Sequence, residues 1–461
     1  MKIHFLGGVD TVTGSRHLVE ADGTLVLCDC GLFQGHRKQA REINSRFNFD
    51  PARLNAAVVS HAHVDHCGNV PTLVQQGYRN PIYSTTATAA LCEIMLRDAA
   101  HIQEQDAAYL NQKKNRKGME PVVPLYTVKD TDNALALFRG YSYGERVQVA
   151  PRVSVDFSDA GHILGAALTT FTVKEDGRIR RMAFAVDLGR DNLPLIRNPE
   201  VLRDIDALVM ESTYGDRLHD PALRADDELC DIVTRTYGRG GKVLIPSFAL
   251  ERAQEVIFHL EALVSAGRLP VIPVYVDSPM AAAVAAVFEK NREYLDKEFQ
   301  APSDRIRRVM RPKWLRYVST VEESKSVTAS DKPCIVIAGS GMCEHGRILH
   351  HLKHGIENPK NTIAFVGFQA VNTLGRRLVE GETKICIFGD WFERKAEVVT
   401  LNAFSAHADR DELIDYVRRV RPRRVYLVHG EPEERKALAE ALRQQGLAEV
   451  HTPSKGEVVE L

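Results

Sequence analysis

The residues of this chain that could do chemistry are concentrated in one short motif, His-Ala-His-Val-Asp-His at positions 61–66. Imidazole nitrogens and carboxylate oxygens both bind divalent first-row metal ions such as zinc. The mostly apolar run 54–59 comes directly before the motif. A strand that ends at Ser60, followed by a turn, would direct these side chains into one small volume. A lone His-x-His pair is usually structural, but the added Asp-His pair predicts a metal site.

Three later segments share one form, an apolar strand that ends in a ligand-type residue next to glycine. They are Asp-Ala-Gly-His at 159–162, Val-Asp-Leu-Gly at 186–189 and Val-His-Gly-Glu at 428–431. Polar groups at the rim of a buried sheet are costly to desolvate unless they have partners. Each segment alone could equally be a satisfied polar group of the core. Taken together, five histidines and two aspartates fit a binuclear metal site.

The elements that must position these residues follow two patterns. Short apolar strands with intervening loops and occasional helices fill the first two hundred residues. From about Gly241 strand and helix alternate, with a strand predicted at 242–245 and a helix at 250–266 that stops at Gly267. Such alternation predicts an α/β unit with a parallel sheet. The strand-then-helix pattern resumes after Thr400, so we expect the second unit to be inserted into the first.

Composition narrows the function classes. Lys and Arg number 60 against 61 Asp and Glu, so a nucleic-acid partner would have to be held by a local cleft. No stretch has the length of a membrane-spanning helix and the N-terminus lacks a signal-peptide core, so we expect no membrane partner. Eight cysteines without a Cys-x-x-Cys pair favour a reduced cytoplasmic setting. Cys28 and Cys30 are expected to be small core residues.

Two further clusters have ordinary interpretations. The basic run at 113–117 is expected to be the solvated face of a helical arm. His350, His351 and His354 have the spacing of a helical metal site, but no carboxylate accompanies them, and we expect them on the surface.

The motifs resemble those of the metallo-β-lactamase superfamily, whose signature is His-x-His-x-Asp-His with a downstream His, Asp and His. The resemblance extends to the β-CASP nucleases of that superfamily. Their acidic residue after a strand matches Glu211, their histidine in a Ser-x-His-x-Asp context matches His407, and their third extra motif matches His429. The motifs follow the family's order over nearly the whole chain. The chain most resembles the compact bacterial type, related to the mRNA 3′-end processing endonuclease, without a KH extension or a long C-terminal domain.

This resemblance implies an α/β fold in which an αββα metallo-β-lactamase sandwich, residues 1–210 and 396–461, carries an inserted α/β (β-CASP) domain, residues 211–395, with a mainly parallel sheet. It also implies two Zn²⁺ ions. One would be bound by His61, His63 and His162, and the other by Asp65, His66 and His429. Asp187 would bridge the two ions, and Asp29 would orient a ligand from behind.

The implied activity is zinc-dependent hydrolysis of phosphodiester bonds in single-stranded RNA, as an endonuclease with 5′ exonuclease activity as a further option. Zinc lowers the pKa of a bound water to about 7, and Asp65 would accept its proton. His407, oriented by Glu211, would donate a proton to the leaving ribose oxygen; a structural hydrogen bond between them is the alternative. His429 favours RNA, since DNA-processing members of the family tend to carry Val at this position.

The cleft between the two units is expected to hold the RNA. Ser247 and Ser340 follow predicted strand ends, where backbone N–H groups suit phosphate, although ordinary tight turns are the alternative. Arg376 and Ser405 complete the predicted RNA-binding residues. The sequence leaves open whether the protein forms a homodimer.

Two other functions stay open on the same residues. One is a small-molecule or phosphodiester hydrolase on the same fold, for which the middle unit would be only a lid. The other is a non-catalytic subunit of an RNA-processing complex. Non-catalytic relatives have lost several ligands, and the complete ligand set of this chain argues against that role.

Overall fold

The computed structural model describes residues 1–35, 37–112, 120–175, 177–219, 224–301, 304–367, 369 and 373–461. The basic run at 113–117 lies outside these ranges. The chain divides into two compact units. The first comprises Met1–Asp191, Ile196–Leu218 and His407–Leu461, and the second Asn192–Leu195 and His219–Ala406. No helix within the described ranges is long and apolar enough to cross a membrane.

Two mixed sheets form the first unit, each with seven strands among the described residues. The first sheet has the order β22-β1-β2-β3-β4-β5-β6, with β1 (Lys2–Gly7), β2 (Arg16–Ala21), β3 (Thr24–Cys28), β4 (Ala56–Val58), β5 (Ile82–Thr85), β6 (Phe138–Tyr141) and β22 (Val458–Glu460). The second has the order β21-β20-β11-β10-β9-β8-β7, with β7 (Arg146–Ala150), β8 (Val153–Asp159), β9 (Ala167–Glu175), β10 (Arg178–Ala185), β11 (Ala207–Met210), β20 (Arg424–Leu427) and β21 (Glu449–His451).

One hydrophobic core is shared by these two sheets. Along β8 the buried residues Val153, Val155 and Phe157 alternate with more exposed polar ones, the period-2 pattern of a strand with one buried face. Cys28 also lies in this core, and Cys30 is buried, as predicted. The helices of the unit are α1 (Arg37–Asn44), α2 (Val64–Cys67), α3 (Val70–Gln75), α4 (Thr86–Gln112), α5 (Val128–Leu135), α14 (Arg410–Val420) and α15 (Pro432–Gln444).

A parallel sheet forms the centre of the second unit, and hydrophobic clusters that include its strands fill two cores. Its order is β14-β13-β15-β12-β16-β19, with β12 (Val243–Pro246), β13 (Val274–Asp277), β14 (Leu315–Tyr317), β15 (Ile335–Ala338), β16 (Thr362–Phe365) and β19 (Glu397–Thr400). The strands β12, β15 and β16 are buried along their whole length, as expected for the central part of a sheet that is covered on both faces. A hairpin and the helices complete the described elements: β17 (Lys384–Ile387), β18 (Asp390–Glu393), α6 (Ala225–Gly238), α7 (Arg252–Ser265), α8 (Pro279–Lys290), α9 (Lys297–Gln300), α10 (Arg305–Met310), α11 (Val321–Ala329), α12 (Ile348–Gly355) and α13 (Leu374–Val379). The predicted fold class is confirmed.

The prediction that three helical histidines lie on the surface is wrong for His351. His350 and His354 are exposed, whereas His351 is only 3% exposed and bonds through Nε2 to the Oδ2 of Asp277 at 2.7 Å. The same carboxylate accepts hydrogen bonds from the Ser324 hydroxyl and the Arg347 guanidinium, both at 2.5 Å. Because Asp277 ends β13 and its partners lie on or next to α11 and α12, this network joins the sheet to two helices.

We expect Asp277→Ala to destabilise the second unit by about 3 kcal/mol, because a buried charge network loses the acceptor on which three donors converge. Urea denaturation followed by tryptophan fluorescence measures this directly, since Trp314 and Trp391, the two tryptophans of the chain, both lie in the second unit. The control is Asp331→Ala at an exposed position, where a change within about 0.5 kcal/mol is expected. Equal stability of the two variants would contradict the role of Asp277.

Candidate metal centre

The ligand-type residues of the first unit follow the carboxyl ends of four strands. The 61–66 motif follows β4, His162 follows β8, Asp187 follows β10 and His429 follows β20. His61, His66, His162, Asp187 and His429 are all at most 4% exposed. The strands that carry these residues belong to two different sheets, so the sandwich itself brings distant parts of the chain together.

One group of nitrogens lies around His63. Its Nδ1 is 3.1 Å from the Nε2 of His61 and 3.2 Å from the Nε2 of His162. Three imidazole nitrogens at such separations point their lone pairs or protons at one another. A shared cation relieves that arrangement, and nitrogen donors of this kind suit zinc.

A second group consists of Asp65, His66 and His429. The Nε2 atoms of the two histidines are 3.3 Å apart. The Oδ2 of Asp65 lies 3.6 Å from the Nε2 of His429 and 3.8 Å from that of His66. This set offers two nitrogens and one oxygen to a second cation.

Asp187 lies between the two groups. Its Oδ2 is 3.2 Å from the Nε2 of His61 and 3.4 Å from that of His162. Its Oδ1 is 3.3 Å both from the Nε2 of His66 and from the Nδ1 of His429, and this buried atom has no hydrogen-bond partner in the described part of the chain. Each carboxylate oxygen thus faces one group, which is the arrangement needed to bridge two metal ions. The donor set therefore fits the predicted ligands.

Protonation states agree with metal binding. Burial lowers the pKa of His63 to about 3, assisted by the neighbouring His61, and burial also lowers the pKa of His61 and His162. Neutral imidazole is the form that binds metal. At His66 burial also disfavours the charged ring, but three carboxylates outweigh it and raise the pKa, those of Asp187, Asp29 and Asp65. The negative charge of these three carboxylates is stabilised by a nearby positive charge, which a metal ion can supply.

Asp29 fixes the orientation of two of these rings from behind. Its Oδ2 accepts hydrogen bonds from the Nδ1 of His66 at 2.8 Å and from the Ser60 hydroxyl at 2.9 Å, and its Oδ1 accepts from the Ser60 N–H at 2.8 Å. Because the Ser60 hydroxyl donates to Asp29, its oxygen is left to accept from the Nδ1 of His61, 3.0 Å away. Both histidines therefore carry their proton on Nδ1 and turn a free Nε2 towards the site.

Glu211 and His407 form a third group of titratable side chains, next to His162 and Asp187. The Nδ1 of His407 is 3.2 and 3.1 Å from the two carboxylate oxygens of Glu211, and the Leu188 N–H donates to that fully buried carboxylate. The His407 ring centroid is 4.5 Å from that of His162. Burial lowers the pKa of His407, but Glu211 outweighs it and raises that pKa to about 9. His407 is thus a protonated group beside the ligands.

Known families and proteins match this chain along most of its length. Family models match at residues 11–132 (Metallo-beta-lactamase superfamily), 253–378 (Beta-Casp domain) and 391–453 (Zn-dependent metallo-hydrolase RNA specificity domain). The ribonuclease TTHA0252 of Thermus thermophilus is 38% identical over 97% of both chains. The transcription termination factor FttA of Methanocaldococcus jannaschii is 32% identical over 98% of this chain and 70% of its own. The chain belongs to the β-CASP group of the metallo-β-lactamase superfamily.

One solved structure has a fold similar to that of this chain. A protein of unknown function from Enterococcus faecalis V583 covers 100% of this chain with 99% of its own, at a TM-score of 0.56 and 12% identity. At that identity the likeness concerns the fold alone. The family and the hydrolase class predicted from the sequence are both confirmed.

Two functional contacts were not predicted from the β-CASP motifs. Ser60 links Asp29 to His61, and the Thr213 hydroxyl lies 3.4 Å from the Nδ1 of His429 and donates to its carbonyl oxygen at 3.2 Å. Ser60 directly precedes the histidine motif and Thr213 follows Glu211 by two positions. The sequence signal for both hydroxyls was their position beside a motif. That signal is weak, because a Ser or Thr at such a position can equally hydrogen-bond to the nearby backbone.

The predicted RNA-binding residues lie in the second unit. The Ser247 hydroxyl is buried and donates to the carbonyl oxygen of Phe248 at 3.0 Å. The Ser340 Oγ accepts from the N–H groups of Glu344 and His345 at 3.1 and 3.4 Å. Arg376 pairs with Glu380 at 2.7 Å, and Ser405 is 9% exposed. Their binding of RNA stays a prediction.

We expect Asp29→Asn to lower the affinity for zinc by about 10- to 100-fold, because the amide cannot accept from both His66 and Ser60 as a carboxylate does. Titration of the metal-free protein against a chromophoric zinc chelator gives the affinity. The matched control is Asp132→Asn in the same unit, where the carboxylate is 52% exposed and pairs with Arg97. An unchanged affinity in Asp29→Asn would show that Asp29 does not act on the ligands.

Proposed function

We propose that this protein is a zinc-dependent ribonuclease that hydrolyses phosphodiester bonds of single-stranded RNA with two bound zinc ions, in cytoplasmic RNA processing or degradation. The observation that carries the proposal is Asp187, whose two carboxylate oxygens each face a separate group of ligand-type residues. The substrate is supported by the similarity to a ribonuclease over 97% of both chains and by the match to an RNA specificity domain. Internal cleavage is the mode we propose, with 5′ exonuclease activity as a further mode.

His61, His63 and His162 would hold one zinc ion, and Asp65, His66 and His429 the other, with Asp187 contributing to both. When bound, the two ions would lower the pKa of a water molecule to about 7 and would screen negative charge at the phosphorus. The rings of His61 and His66 need no reorganisation for this role, because hydrogen bonds from their Nδ1 atoms already orient them.

Asp65 is the base that takes the proton of the attacking water. Burial would raise its pKa, but His66 and His429 outweigh burial and hold that pKa below its ordinary value. The carboxylate is therefore ionised at neutral pH. Its side chain is also 21% exposed, whereas the side chain of Asp187 is buried, so Asp65 can pass the proton on to solvent.

His407 is the general acid that protonates the leaving ribose oxygen. Its Nδ1 is engaged with Glu211, which leaves Nε2 to carry the proton that is donated. The ring is 23% exposed, in keeping with access to a substrate. Glu211 stabilises the imidazolium, so that the acid is protonated at neutral pH.

The substrate class is tested by incubating the zinc-loaded protein with end-labelled RNA, DNA of the same sequence and bis(4-nitrophenyl) phosphate. We expect chelator-sensitive cleavage of RNA in the chain interior, and a His407→Ala variant that keeps its zinc but loses cleavage by about 100-fold or more. Metal analysis of each variant separates loss of the acid from loss of zinc.

The matched control is His101→Ala, an exposed histidine of the same unit, which should keep both zinc and activity. Preferential hydrolysis of the small diester would instead indicate a small-molecule phosphodiesterase. Cleavage that persists in His407→Ala would refute the assignment of the acid, and absence of any cleavage would support a non-catalytic subunit.

The pair Glu211–His407 also makes a prediction about pH. A general acid must be protonated, so kcat/KM falls as the pH rises through the pKa of His407. Glu211 raises that pKa, and removal of the charge in Glu211→Gln lowers it by about one unit or more. We therefore expect the fall in activity to begin at lower pH in Glu211→Gln, with a greater loss at pH 8 than at pH 6. Parallel pH profiles of the two proteins at equal zinc content would contradict the proposed coupling.

A further inference from the structure

A second concave surface of the first unit lies on the sheet β7-β8-β9-β10, away from the metal centre. It encloses about 480 Å³ and is near the end of β10 opposite to Asp187. Arg181 and Asp187 are six residues apart, which corresponds to about 20 Å along a strand. The side chains that form this distal groove include Arg146, Arg152, Ser154, Thr172, Lys174 and Arg181.

Strand register places these side chains in a row. Ser154 of β8 pairs with Thr172 of β9, which pairs in turn with Arg181 of β10. Lys174 lies one step along the same face of β9, and its N–H bonds to the carbonyl of Arg152 at 3.0 Å. Neighbouring strands are about 4.8 Å apart, so a row across β7 to β10 spans about 14 Å. This length exceeds one phosphate group and fits several in succession.

Polar atoms of the groove lack partners within the described ranges. Thr172 is 5% exposed, and its buried hydroxyl has no hydrogen-bond partner; the same holds for the Nε of Arg181. Buried polar groups without partners are rare because each costs free energy. Both atoms are themselves buried, so the exposed basic side chains of the groove are the groups that can contact a ligand. Lys174 is exposed and takes part in no ion pair among the described residues.

The acidic groups beside the groove neutralise it only in part. Arg146 uses its Nε on Asp156, at 2.9 and 3.1 Å, which leaves its terminal nitrogens to other acceptors. Arg152 pairs with Asp22, but both side chains are 60% exposed. Such exposed pairs contribute little, so a phosphate can compete for the arginine.

We infer that the distal groove binds the phosphates of an RNA strand whose reacting bond lies at the metal centre. The inference rests on the proposed ribonuclease function and adds a second contact region to it. Arginine and lysine are the usual ligands of the nucleic-acid backbone, and the row length favours a chain of phosphates over a single one. Inorganic polyphosphate shares this chemistry and has to be separated from RNA by experiment.

The test compares Lys174→Glu with Lys436→Glu, an exposed lysine of α15 in the same unit, so that the change of net charge is matched. Binding of fluorescein-labelled 30-nucleotide and 6-nucleotide RNA is measured by anisotropy on zinc-loaded protein that also carries His407→Ala, which keeps the RNA intact. We expect Lys174→Glu to weaken binding of the 30-mer about tenfold, with a smaller salt dependence, and to leave the 6-mer within about twofold of Lys436→Glu.

Arg146→Gln, which removes the terminal guanidinium nitrogens from the groove, is the second variant and should weaken 30-mer binding as well. Equal 30-mer affinity in Lys174→Glu and Lys436→Glu would overturn the inference. The inference would also be overturned if the groove bound tripolyphosphate or poly-glutamate more tightly than it binds RNA. Cleavage assays of the same charge variants without His407→Ala keep the two proposals apart. If the protein cleaves RNA but the groove variants bind RNA as well as the control does, only the proposed role of the distal groove is rejected. If the groove variants weaken RNA binding but the protein does not cleave RNA, only the proposed ribonuclease activity is rejected.

Discussion

The carboxylate of Asp187 is the constraint on which the rest of the first unit depends. It is 4% exposed, and nitrogens of four histidines lie within 3.4 Å of its two oxygens. A buried carboxylate surrounded by rings that are mostly neutral is unfavourable unless positive charge is present. The four strands that end at this point must therefore be held in fixed register, and the core shared by the two sheets provides that rigidity. Cation binding and folding of the strand ends are coupled in such a site.

Orientation of the rings is controlled one layer further out. Asp29 and Ser60 select the protonated nitrogen of His66 and His61, and Glu211 does the same for His407. Both carboxylates raise the pKa of the ring that they contact, so the partner alone does not separate the two histidines. What differs is the surroundings of the opposite ring nitrogen. The Nε2 of His66 lies 3.3 Å from both the Nε2 of His429 and the Oδ1 of Asp187, where a shared cation can replace the proton.

How far the sequence predicts this site depends on how local each feature is. The clustering of the seven ligand-type residues was predictable because each follows an apolar strand within a short motif, and strand ends of a sandwich meet at one edge. Their binding of metal stays a prediction. The burial of His351 was not predictable from the sequence. Its partner Asp277 is 74 positions away, and only the fold brings the two residues together. The strand order of the parallel sheet depends on non-local pairings in the same way. The distal groove was also unpredictable, because Ser154, Thr172 and Arg181 become neighbours only through cross-strand register.

Charge balance bears on how a chain of net charge −1 would bind the polyanion that we propose as its substrate. The candidate metal centre has two carboxylates, Asp65 and Asp187, among ligand-type residues that are otherwise imidazoles. The two zinc ions of the proposed function would contribute four positive charges, so the loaded site would be positive, whereas the two carboxylates alone would repel phosphate. The proposed attraction for RNA is therefore local and conditional on metal. Additional binding strength has to come from separate basic surfaces, and for a chain with almost equal numbers of acidic and basic residues those surfaces must be small.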